Sequence, residues 1–108
     1  MVHAFKFSLV HSGQIARAAE VLHGTAGTPQ ERLIRGGTLF WAATIFSGDW
    51  TSQLAENINH ICRVLFANGT VRKTVARMDA KTASECASEL GNEMTSVAAE
   101  IEQGQNQA

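Results

Sequence analysis

The sequence predicts an all-α fold, a small bundle of about four helices with a long C-terminal helix. Three observations carry that expectation. From Thr28 onward, apolar residues recur every three or four positions. Capping residues stand at the starts of those runs. Only one stretch, residues 2–10, alternates with the period of a strand.

That stretch reads Val-His-Ala-Phe-Lys-Phe-Ser-Leu-Val, with Phe5, Phe7 and Leu9 set between Lys6 and Ser8. A short strand, an extended arm and the first turns of a helix all fit it, and the strand would make the fold α+β. A helix is predicted over Ser12 to His23. Ser12 is its cap, Ile15, Ala18, Ala19 and Leu22 form its apolar side, and Gly24 is its stop. Gly24 to Gly27 has loop composition.

Thr28-Pro29-Gln30-Glu31 is the clearest local signal. Threonine suits the cap, proline suits the first helical position, and Glu31 can return a hydrogen bond to the cap. The helix should run through Leu33, Ile34, Leu39, Phe40, Trp41, Ile45 and Phe46 and stop near Ser47-Gly48. Gly36-Gly37 inside it costs roughly 2 kcal/mol relative to alanines. Burying each large apolar side chain returns about 1.5–3 kcal/mol, so burial wins. The glycines either admit a close neighbour or mark a kink. Residues 39–46 are apolar all round, as in a central helix.

Asp49 or Thr51 should start the next helix, whose stripe is Leu54, Ile58, Ile61 and Leu65 and whose end is Asn68-Gly69. Thr70 opens the last segment. Val71, Val75, Met78, Thr82, Cys86, Leu90, Met94, Val97 and Ile101 step by three or four. This is one long helix, or two broken near Asp79. At 100° per residue the stripe drifts by roughly a quarter turn, so a single helix must wrap its partner. Residues 1–102 are read as one domain and 103–108 as a frayed polar tail.

The totals narrow the function. With 108 residues, one core can hold the chain. A net charge of -1 supplies no global field for nucleic acid or an anionic membrane. The longest apolar run, 38–46, is well below the roughly 20 residues that span a bilayer. Nothing near Met1 reads as a signal peptide, so the expected setting is cytoplasmic and reducing, with Cys62 and Cys86 as free thiols.

No phosphate loop, dinucleotide fingerprint or nucleophile elbow occurs, and tyrosine is absent. The expectation is a chain that is not an enzyme and needs no cofactor. Glu20 and His23 have the Glu-x-x-His spacing of carboxylate-bridged metal sites, and Glu56 with His60 is the nearest second element. A dimer could supply a further copy. The preferred reading of His23 is a cation meeting the end of its helix, so no metal site is assigned. Cys86 lies on the apolar stripe and reads as a small hydrophobe, and Cys62 beside Ile61 reads similarly. Phe40, Trp41, Trp50 and Phe66 read as core before they read as a ligand pocket.

Arg72, Lys73, Arg77 and Lys81 are the candidate binding residues. They cluster at a helix start, where cations are disfavoured by a few tenths of a kcal/mol each. An acidic protein surface or nucleic-acid phosphate would offset that cost, and a solvated face is the bland alternative. Glu85, Glu89, Glu93, Glu100 and Glu102 follow, so the last segment is basic first and acidic later. Two copies packed antiparallel would match these charges. The leading expectation is therefore a non-enzymatic interaction or regulatory protein, a helical homodimer that binds another macromolecule. One alternative is a metal-dependent helical-bundle protein using Glu20 and His23, and another is a DNA-binding regulator. The regulator would use either the helix pair over residues 12–35, with Arg32 and Arg35, or the cluster over 72–81.

Overall fold

The computed structural model describes residues 3–44 and 52–106, with side chains for 12–44 and 53–103. The fold is all-α: five helices and no strand among the described residues. They are α1 (His3–His23), α2 (Pro29–Thr44), α3 (Ser52–Leu65), α4 (Val71–Ala76) and α5 (Ala80–Asn106).

The strand considered for residues 2–10 does not form, because α1 already includes His3. The reason is propagation. No proline or glycine separates His3 from Ser12. Extending an existing helix adds one hydrogen bond per ordered residue, whereas a lone strand has no neighbour to take its hydrogen bonds. The stripe expected after Ser12 is real: Ile15, Ala18, Ala19 and Leu22 are at most 3% exposed.

The α1–α2 connection ends in a reciprocal cap. Thr28 N–H donates to Glu31 Oε1 at 2.8 Å, and Glu31 N–H donates to Thr28 Oγ1 at 3.1 Å. Gly27 before it has φ 79°, a conformation that side chains resist. α2 touches each of the other four helices, as a central element should. It is not buried all round, since Trp41 and Ala42 face outward. The glycine pair serves close approach. A methyl group on Gly36 would lie 2.7 Å from Leu22 Cδ2 of α1, and one on Gly37 would lie 3.1 Å from Leu65 Cδ2 of α3. The expected continuation through Ile45 and Phe46, the stop at Ser47-Gly48 and the starts at Asp49 or Thr51 fall outside the described residues.

α3 buries Leu54, Ile58, Ile61 and Leu65. The chain then turns through residues 66–70, with Gly69 at φ 104°. Thr70 caps α4 by accepting a hydrogen bond from Lys73 N–H. The segment after Thr70 is two helices. α4 stops after six residues, and Asp79 restarts the chain by accepting from Thr82 N–H at 2.7 Å. This break resolves the drift of the stripe. Beyond it the buried register is Ala83, Ala87, Leu90, Met94, Val97, Ala98 and Ile101, while Thr82 is exposed and Cys86 only half-buried.

α5 runs antiparallel to α1, since Ala16 shares a groove with Glu102 while His23 lies against Gly91. It is also antiparallel to α3, where Asn57 Nδ2 donates to Glu100 Oε1 at 3.3 Å and His60 Nε2 lies 3.2 Å from Glu93 Oε1. The core, with Phe40, Leu33, Ile61 and Met94 fully buried, fills the space between them. The α1–α2 loop, the α3–α4 turn and α4 gather at one end of this arrangement.

Candidate interaction surface

α4 owes its existence to two caps rather than to its own length. With Val71, Thr74 and Val75 turned inward, Arg72 and Lys73 are forced outward. Arg77 closes α4 and Lys81 stands in the first turn of α5. All four candidate cations are exposed, and none forms an ion pair among the described residues.

The tertiary structure adds cations from elsewhere in the chain. Arg63 and His60 of α3 share with Arg77 a groove of about 580 Å³ that also holds Val64, Ala67, Thr74 and Met78. On the other side of α4, Arg72 faces Arg35 and Glu31 across a depression of about 320 Å³. The sequence reading missed Arg63. Its signal was available, because Arg63 and Arg77 flank the Asn68-Gly69 turn and the Thr70 cap, and a chain reversal there brings its flanks together.

The groove interior spends its polar groups internally. Thr74 Oγ1 donates to Thr70 C=O at 2.8 Å and accepts from Asn68 N–H at 3.0 Å. The His60–Glu93 pair is exposed on both sides and worth at most about 1 kcal/mol.

The other candidates separate. Glu20 and His23 line a different groove, of about 500 Å³, with Thr95 and Glu102. His60 lies on the α3 side of α5, so the two carboxylate–histidine elements do not converge. No group of three or more metal-ligating side chains occurs among the described residues. His23 occupies the last turn of α1, and its ring packs where a methyl group on Gly91 would lie 2.7 Å away.

Cys62 and Cys86 are free and half-buried. Burial pushes both thiols above the ordinary value, and Glu89 and Glu93 raise Cys86 further. Both effects disfavour the thiolate that a nucleophile needs. Of the aromatics, Phe40 is fully buried, while Trp41 is 44% exposed and tilts against Phe66 with centroids 6.2 Å apart. They do not converge on one pocket, and Trp50 is outside the described residues.

In the helix pair over residues 12–35, the two arginines of the second helix are engaged locally. Arg32 Nη1 donates to Gly27 C=O at 2.8 Å, and Arg35 Nη2 donates to Ala26 C=O at 2.9 Å. Leu33, Gly36, Gly37 and Phe40 turn the second helix into the core.

No protein-family model matches this sequence, and neither a curated protein nor a solved structure matches the chain. No helix among the described residues is long and apolar enough to cross a membrane.

Proposed function

We propose that this chain is a non-enzymatic interaction protein that binds an acidic macromolecular partner through the basic surface around α4. One observation carries the reading. Arg72, Lys73, Arg77 and Lys81 stand exposed and unpaired by carboxylates among the described residues, with Arg63 added across the groove. On a chain of net charge -1 this is a local concentration of positive charge, not a global one. A reducing, cytoplasmic setting accords with the two free cysteines.

The test uses immobilised heparin as a generic polyanion. Wild-type protein should be retained at low salt and released as salt rises. Arg77→Glu should abolish retention, whereas Arg17→Glu, an equal charge change at another exposed position, should not. Equal behaviour of the two variants, or no retention of the wild type, overturns the reading.

Self-association is the second reading. Its support is the segregation of charge, with the cations around α4 and Glu93, Glu100 and Glu102 farther along α5. The apolar stripe offers no such support, because Leu90, Met94, Val97 and Ile101 are buried within the chain at 4% exposure or less.

A further inference from the structure

We infer that the groove between α3 and α4 takes an acidic peptide segment carrying one apolar anchor residue, an inference that rests on the binding role proposed above. Arg63 and Arg77 stand as cations on the α3 and α4 sides of this groove, with Val64, Ala67 and Met78 as its apolar lining. A volume of about 580 Å³ suits a large apolar side chain with its flanking backbone. Thr74 already donates and accepts within the chain, so its hydroxyl does not call for a polar ligand. Charge complementarity therefore asks for carboxylates beside the anchor, and the lining asks for Leu, Ile, Met or Phe as the anchor itself.

Two other occupants fit less well. No Phe, Tyr or Trp lines the groove, and the one ring that does, the His60 imidazole, is held against Glu93, so the lining favours an aliphatic anchor over stacked bases. A second copy of this chain carries its acidic residues on α5, where Leu90, Met94, Val97 and Ile101 are buried, so it offers no large apolar anchor beside them.

The experiment measures fluorescence anisotropy with short labelled peptides in which glutamates flank a central Leu, Ile, Met or Phe. The comparison probes are the same peptide with a central serine and a single-stranded oligothymidine. At least one anchored peptide should bind about tenfold more tightly than the serine peptide. That binding should weaken about tenfold in Arg63→Glu and be unchanged in Arg17→Glu. Circular dichroism checks that the variants keep their helices. Equal binding of anchored and serine peptides overturns this inference while leaving the basic-surface reading in place. Tighter binding of oligothymidine overturns it in favour of a nucleic-acid occupant. If no peptide binds although heparin still retains the protein, the inference alone fails. If heparin is not bound either, both fail.

Discussion

Gly36 and Gly13 sit on helices of one bundle, and the same substitution should act oppositely at the two. In either case alanine favours the helix by up to about 1 kcal/mol. At Gly13 no atom of the described residues lies within 4 Å of the added methyl group, so Gly13→Ala should raise the melting temperature. At Gly36 the methyl group meets Leu22 Cδ2 at 2.7 Å and Ala18 C=O at 3.2 Å. Leu22 is only 2% exposed, and its Cγ also lies 2.9 Å from the added methyl group, so turning the terminal methyl alone does not relieve the clash. Overpacking of this kind costs about 1–3 kcal/mol, which exceeds the gain, so Gly36→Ala should lower the melting temperature. Thermal unfolding of the two variants beside the wild type checks both signs. A stabilised Gly36→Ala would mean that α1 and α2 do not approach as closely as described.

Among the elements, the α4–α5 break depends most on one side chain. Asp79 accepts from Thr82 N–H, and that hydrogen bond holds its carboxyl below the usual aspartate value, as the Thr28 hydrogen bonds do for Glu31. The folded value lies below the unfolded one, so the cap's contribution is complete above the unfolded value. It is lost as pH falls through the folded value. Asp79→Asn should keep most of the stability at neutral pH, because asparagine caps nearly as well, but should lose the part of the acid dependence that Asp79 supplies. Asp79→Ala should be less stable than Asp79→Asn at neutral pH. Urea unfolding at neutral pH and near pH 3 separates these outcomes, and an unchanged acid dependence in Asp79→Asn would show that the cap does not titrate.

At the scale of the molecule, the cations around α4 have no carboxylate partner among the described residues, while Leu90, Met94, Val97 and Ile101 of α5 are covered within the chain. The stripe of α5 is not open to a second copy, because α1, α2 and α3 lie along it. If the proposed self-association occurs, it should therefore be electrostatic. Sedimentation at tens of micromolar should show dimer at low salt and monomer at high salt. A dimer that persists in high salt would require an apolar interface, and a monomer at both salts would end the dimer reading.

Helix identity, the Thr28–Glu31 cap and the Thr70 cap were legible from residue order, because capping and the 3.6-residue period act within a few positions. The register of α5 was not legible. Thr82 and Cys86 continue the apolar spacing from Val75, yet the break before Asp79 resets the face and buries Ala83 and Ala87 instead. The candidate surface was half legible. Arg72, Lys73, Arg77 and Lys81 cluster along the chain, but Arg63 joins them only through the turn at Asn68-Gly69. By itself the sequence determined the helices beyond Ser12 and which charges travel together, since both follow from near neighbours, while it left residues 2–10 open. The tertiary structure alone decided which helix covers α5 and which cations share a groove, because packing joins residues that chain order keeps apart.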